Sequence, residues 1–269
     1  MQIYYLKWIM KVTIFSGNQA RHLNLAKTIS SIAEEVFFIS ECTTIFPGEI
    51  EDFYKKTEIM QKYFQRVIKA EKKIFGDIDF LPKNVSSLLI KNRDLSNLSK
   101  KQLSKALFSD VYIIFGASYI RGWLIEFLLK NNAINIHMGL SPYYRGNSCN
   151  FWALYDNNPS YVGATIHKIS KGLDNGPIIF HCVPKLQKTD NIFDFAMRSV
   201  LSAHKGIVSF LKQEQHKNYK IISQDKLLEI RYSVNKDFSD EVAEKFLNRN
   251  TDIQKASFEY PELKNLFIH

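Results

Sequence analysis

The sequence predicts an α/β fold: a mostly parallel sheet flanked by helices, with a small C-terminal region. Three observations predict it. Short apolar runs rich in β-branched and aromatic residues recur at 11–16 (KVTIFS), 35–40 (EVFFIS), 111–115 (VYIIF) and 133–137 (AINIH), as strands buried on both faces do. Segments with helical spacing separate the first two runs and the last two. Strand, helix and strand in that order make a parallel βαβ unit, and the order occurs twice.

The elements follow in turn. After the first strand, Gly17 and Asn18 make a turn, and 21–32 is helical, with Leu23, Leu25, Ala26 and Ile29 near one face. Residues 48–75 look helical too, with Met60, Tyr63, Phe64, Val67 and Ile68 on one side and lysines on the other. Residues 76–98 are mixed and loop-like, and 99–108 is expected as a helix with Leu103, Ala106 and Leu107 inward. A strongly apolar helix spans 120–130. A long loop follows the strand at 133–137, then strands near 162–169 and 177–183. The helix at 191–211 carries Phe195, Ala196, Val200, Ala203, Ile207 and Leu211 on one side, and Thr189 or Asp190 can cap it. Beyond 213 the pattern weakens: one or two strands within 220–232, and a short helix at 239–247 with Asp240 and Glu241 at its N-terminus. The expected organisation is an N-terminal extension (1–10), a catalytic α/β domain (11–212) and a small C-terminal region (213–269) that is a candidate dimer element.

A chain of 269 residues with 45% hydrophobic content can bury a core without disulfide or metal staples. Cys42, Cys149 and Cys182 lie far apart, which argues against a disulfide framework or a zinc cluster and fits a reducing cytoplasm. No apolar run is long enough to span a membrane, and Lys7 and Lys11 break the one stretch that resembles a signal peptide. The net charge of +9 favours anionic partners. Residues 55–73 hold seven basic residues against two acidic ones, a pattern that a solvated helix face also produces.

Ligands of open α/β sheets bind beyond the carboxyl ends of the strands. That rule selects 17–22, 116–120, 135–147 and 170–176. Asn135 and His137 alternate with Ile134 and Ile136, so both polar side chains share one face of a strand. The structural alternative is a hydrogen-bonded core pair. Asp174 lies in KGLDNGP, which is also good turn chemistry.

The stretch INIHMGLSPYYRG (134–146), followed by Asp174 in GLDNGPI, resembles the signature of the folate-dependent formyltransferases. That family includes methionyl-tRNA, glycinamide ribonucleotide and sugar-nucleotide N-formyltransferases. The resemblance implies a Rossmann-like domain over about 11–212, with Asn135, His137 and Asp174 as catalytic trio. It also implies N10-formyltetrahydrofolate as co-substrate, a primary amine as acceptor and no metal. FGASYIRG (115–122) matches the segment that lines the family's pterin pocket, so Phe115, Gly116, Ala117, Ser118, Tyr119 and Ile120, with Gly172 and Leu173, are the candidate cofactor residues. The opening GNQARH and the helix YFQRVIKAEKKIFG resemble the branch that formylates nucleotide-linked amino sugars, such as 4-amino-4,6-dideoxy sugars, for surface polysaccharides including the O-antigen of lipopolysaccharide. Met138, Gly139, Leu140 and Ser141 stand where most members carry a proline and a double leucine.

In that chemistry an amide such as Asn135 suits a developing oxyanion. His137 can act as base or as oxyanion donor, and Asp174 can orient it. Asn18, Arg21 and His22 open a helix, where a diphosphate could bind. Arg145 and Gly146 can support the loop or touch substrate, and the resemblance implies loop support with contact to the acceptor. Tyr144, with Tyr143 and Trp152, can either stack on substrate or pack. A homodimer is a family-level expectation, and neither membrane nor nucleic acid is expected as partner. The rival readings are methionyl-tRNA formyltransferase, hydrolysis of the formyl-folate, a non-enzymatic basic nucleic-acid-binding module, and a metallohydrolase using His137, His167, His181 and Asp174.

Overall fold

Residues 10–42, 56–172, 174–249 and 251–269 are described by the computed structural model of the chain. β1 (Lys11–Gly17) is buried almost throughout because both its faces are covered. Val12 and Ile14 meet α1 (Ala20–Ser30) and α5 (Ile192–Lys212) on one side, while Phe15 meets α3 (Gly122–Lys130) on the other. The remaining strands are β2 (Glu35–Cys42), β3 (Val85–Lys91), β4 (Val111–Phe115), β5 (Ile134–His137), β6 (Tyr144–Gly146), β7 (Ala164–Lys168), β8 (Ile178–Val183), β9 (Arg231–Ser233) and β10 (Phe267–Ile268). Among the described residues, three further helices are α2 (Glu58–Phe75), α4 (Cys149–Tyr155) and α6 (Asp240–Asn248).

Eight strands form one sheet in the order β10-β8-β7-β5-β4-β1-β2-β3, and β6 pairs with β9 in a second, two-stranded sheet. Among the described residues of the large sheet, only β7 runs against its neighbours. This is the mostly parallel, helix-flanked Rossmann-like architecture the sequence predicts. Strand order reverses between β1 and β4, so the crevice for ligands opens there, beside the carboxyl end of β5.

The differences from the sequence reading have local causes. Residues 85–91, read as loop, form β3, an edge strand largely exposed, so it lacks the apolar signature of the inner strands. Leu103 and Ala106 are buried as expected, but in turns and a 3-10 segment (Ser104–Leu107) rather than a helix. The long loop contains α4, whose seven residues are too few for a readable period. Asn191, rather than Thr189 or Asp190, caps α5, accepting from the amides of Phe193 and Asp194. Within 220–232 the expected strands reduce to a bridge at Ile222 and the start of β9. The expected helical stretch 48–55 and the extension 1–9 lie outside the described residues.

The chain after 212 returns to the sheet. β10 joins β8, β9 joins β6, and α6 packs on α2. The Gln224 side-chain amide donates to the carbonyls of Asp174 and Gly176, at 2.9 and 2.7 Å.

Candidate active site

Four chain segments converge at the carboxyl end of β5. Antiparallel pairing sets His167 of β7 opposite Asn135 of β5. The loop after β7 folds back so that Asp174, with a positive φ of 48°, reaches both. Aspartate tolerates that conformation better than most residues. Asp174 Oδ2 lies 3.3 Å from His137 Nδ1, and its Oδ1 accepts from Asn135 Nδ2 at 3.3 Å. His167 Nδ1 donates to the carbonyl of Lys168 at 2.8 Å, which leaves Nε2 as acceptor for Asn135 Nδ2 at 3.0 Å. His137 Nε2 faces the carbonyl of Tyr144 at 3.3 Å, at the long end of hydrogen bonding.

His137 has acceptors at both ring nitrogens, which is the environment of an imidazolium. Burial works against that charge, but the Asp174 carboxylate, aided by Cys149, overrides it and holds the His137 pKa well above the ordinary imidazole value. Burial likewise disfavours ionised Asp174, and the charge and hydrogen bond of His137 more than reverse the effect, so Asp174 stays far below the usual carboxylate range. At neutral pH the resting pair is an imidazolium beside a carboxylate.

Two clefts meet at this point. One, of about 790 Å³, runs along the loop after β4 and is lined by Gly116–Ile120, Ile125, Ile169 and Gly172. The other, of about 650 Å³, lies under α2 and is lined by Tyr63, Phe64, Val67, Phe151 and His137. Both volumes suit small-molecule ligands. Asn135 and Asp174 line both clefts.

The other expected site residues divide. Gly116, Ala117, Ser118, Tyr119, Ile120 and Gly172 line the first cleft. Leu173 lies outside the described residues. Phe115 lines the second cleft instead, its ring 5.1 Å from that of His22. Arg21 and His22 also line the second cleft, but not as free cations. The Arg21 guanidinium and its backbone amide both bind the Glu71 carboxylate, at 2.7 and 2.9 Å. The His22 ring is wedged against Gly17 and Gly116, where a Cβ would lie 2.7 Å away. Burial, then Arg21, then His204 hold the His22 pKa well below the ordinary value. A helix start already facing a carboxylate does not fit the expected diphosphate site, and Asn18 lines neither cleft.

Tyr144 is a core residue, its hydroxyl bonded to Asp156 and Asn158, and cannot stack on a ligand. Arg145 pairs with Glu229 at 2.8 Å and supports the loop. Gly146 lines the second cleft with φ of 88°, and a side chain there would strike the Ser233 carbonyl of β9. His181, named in the metallohydrolase reading, donates from Nε2 to the Ser141 carbonyl and accepts the Lys264 amide, both at 2.8 Å, away from the trio.

Sequence reasoning missed Glu41, and it named His167 only as a ligand in the metallohydrolase reading, not as the partner of Asn135. Glu41 is buried at the end of β2 and accepts from the amides of Arg93, Leu95 and Ser118 and from the Ser118 hydroxyl, which fixes the first cleft's loop. The antiparallel turn of β7 placed His167, and nothing in local spacing signals that.

The formyl transferase family model matches residues 10–211. Methionyl-tRNA formyltransferase from Prochlorococcus marinus (strain MIT 9215) is 33% identical over 135 residues, 48% of this chain and 41% of that protein, so the chain spans less than half of that relative. A 4-N formyltransferase from Francisella tularensis has a similar fold, with a TM-score of 0.52, 16% identity, and coverage of 86% of this chain and 78% of that one. Glycinamide ribonucleotide transformylase 1 from Symbiobacterium toebii superposes with a TM-score of 0.51 at 17% identity, covering 84% and 99% of the two chains. A match over most of the chain, on a sheet that holds Asn135, His137 and Asp174 together, means that this chain belongs to the formyl transferase family.

Proposed function

We propose that this chain transfers a formyl group from N10-formyltetrahydrofolate to the primary amine of a nucleotide-linked amino sugar, a step in building a surface polysaccharide such as O-antigen. The observation that carries the reading is the shared wall: Asn135 and Asp174 line two clefts of ligand size at once, and His137 stands beside them in the second. A transferase needs such a junction, because donor and acceptor must approach one reacting carbon from two sides.

The first cleft fits the folate. Ile114, Ile125 and Ile169 give it apolar walls for a flat ring, Gly116 and Gly172 allow close backbone approach, and Arg93 and Arg121 line it where a carboxylate tail could bind. When bound, the folate supplies an activated formyl carbonyl; the amine bonds to its carbon, the bond to N10 breaks, and one amine proton ends on N10. His137, as imidazolium, keeps Asp174 on Nδ1 and donates from Nε2 to the formyl oxygen as negative charge develops there, giving up its 3.3 Å contact with the Tyr144 carbonyl. It can hand that proton on to the departing nitrogen and take one back from the acceptor amine, so the chain ends unchanged. Asp174 keeps His137 charged and oriented. Asn135 reaches the oxyanion only by releasing one Nδ2–H from its interior acceptors, and the 3.3 Å bond to Asp174 is the longer of the two. The apolar and aromatic side of the second cleft suits a deoxygenated sugar.

The test is direct. Uridine-, deoxythymidine- and guanosine-linked 4-amino sugars are assayed with the formyl donor, beside His137→Ala and Asn135→Ala. Loss of transfer by about 100-fold or more in both variants, with folate binding kept, is expected; near-normal turnover in either would remove the assignment. Methionyl-tRNA as acceptor is the second reading, favoured by the name of the Prochlorococcus relative and by the net charge of +9. A tRNA acceptor would bind with a steep salt dependence and a nucleotide sugar with a shallow one.

A further inference from the structure

We infer that Asn147 and Asn235 form a pair of carboxamides, additional to Asn135, that grips the transferring one-carbon unit, so that residues beyond 212 contribute directly to the reaction centre. The inference rests on the formyl-transfer reading above. Both residues line both clefts, as Asn135 and Asp174 do. Among the described residues, neither side-chain amide has a hydrogen-bond partner.

Their backbones, by contrast, are firmly held. The Asn147 amide donates to the Ser233 carbonyl at 2.9 Å, and the Ser233 hydroxyl donates to the Asn147 carbonyl at 2.6 Å. Gly146 and Ser233 are register partners in the β6–β9 pair, so Asn147 and Asn235 follow closely on two paired strands. Beyond Asn235 the chain is pinned by the Asp237 carboxylate, which accepts the Val234 amide at 2.8 Å. It is pinned again by Phe238, whose ring lies 4.9 Å from Tyr63 and 4.8 Å from Phe151. A rigid main chain that presents unengaged amide heads at a junction of two clefts is pre-organised for a ligand. The group common to both clefts is the formyl carbonyl with the amine that attacks it. An amide N–H suits the carbonyl oxygen, and an amide carbonyl suits the amine hydrogens.

The experiment compares Asn147→Ala, Asn235→Ala, the double variant and Asn235→Asp with wild type. Because the side chains bond to nothing among the described residues, melting temperatures should stay within about 1 °C of wild type. Turnover is expected to fall about tenfold in each alanine variant and about a hundredfold in the double. Asn235→Asp, nearly isosteric but without an N–H, should be as slow as Asn235→Ala. Affinity for 5-formyltetrahydrofolate, read by calorimetry without turnover, should weaken in the double variant. Unchanged turnover and unchanged folate affinity in the double variant would overturn the inference, as would rate losses that track a lowered melting temperature. Should wild type bind the folate yet formylate no amine, the proposed function fails, and the calorimetric arm still decides the role of the two amides.

Discussion

Two buried groups of basic and acidic side chains flank the second cleft, and they resolve the same chemistry in opposite ways. In one, Asp174 faces His137 and the histidine is charged. In the other, Glu71 is engaged by Arg21, and the histidines beside it, His22 and His204, are held neutral. Burial pushes each of the three histidines toward its neutral form. What differs is who owns the carboxylate. Where a guanidinium takes it, the neighbouring imidazoles meet a cation and lose their proton; His204 falls to about 3, by burial first and Arg21 second. Where no guanidinium competes, the imidazole itself becomes the cation. The comparison teaches that the same burial leaves one cluster charged and the other neutral, according to which cation holds the carboxylate; the proposed function assigns the chemistry to the first and a supporting role to the second.

The largest effect should come from Asp174→Asn. Without the carboxylate, burial dominates and His137 turns neutral, so kcat is expected to fall about 100- to 1,000-fold. The alkaline limb of the pH–rate profile, which follows loss of the imidazolium, should move from above the ordinary imidazole range to below it. A profile that keeps its alkaline limb would break the contrast between the clusters. Next comes His167. His167→Leu removes the acceptor that holds Asn135, and a drop of about tenfold in kcat with little change in KM is expected. His167→Gln, which can still accept, should recover part of it. Glu71→Gln should be milder for rate, within about threefold, yet cost about 2 kcal/mol of stability by leaving a largely buried guanidinium without its partner. Denaturant melts read that directly, and a large rate loss at full stability would assign Glu71 to the chemistry instead.

The smallest effect is in the pH dependence of stability. His22 and His204 are neutral when folded and protonate near pH 6.5 when unfolded. The unfolded state therefore binds more protons below that pH, and each such histidine withdraws up to about 1.4 kcal/mol per pH unit as pH falls. The His137–Asp174 pair has the opposite sign on its histidine: that stability is complete below about pH 6.5 and is lost as pH rises through the raised pKa of His137. Its aspartate contribution is present above about pH 4 and fades only under strong acid. His204→Gln should flatten the decline between pH 6.5 and 5, measured by melting temperature against pH; an unaltered slope would show that His204 is not held neutral.

The alternation of Asn135 and His137 with two isoleucines was legible because a strand projects every second residue to one side. Asp174 was legible only through its resemblance to a family motif, since its turn would look the same without a function. Arg21 was misleading for a definite reason. A cation at a helix start looks like an anion site until Glu71, on a different helix, is seen to fill it. His167 depended on which strand reverses, and Tyr144 on a hydroxyl that finds Asp156 and Asn158 inside the core. Local pattern thus reported which segments border the crevice, while partnership across the sheet decided what each side chain does there.

The wall common to the two clefts has a consequence for inhibition. If the clefts take the ligands of the proposed function, a single molecule carrying a pterin-like head and an amino-sugar-like head, joined by a linker of one or two atoms, would anchor one half and confine the other beside the adjoining cleft. The tethered half would then act at an effective concentration in the millimolar range or above. Such a conjugate would discriminate against proteins that possess either recess alone.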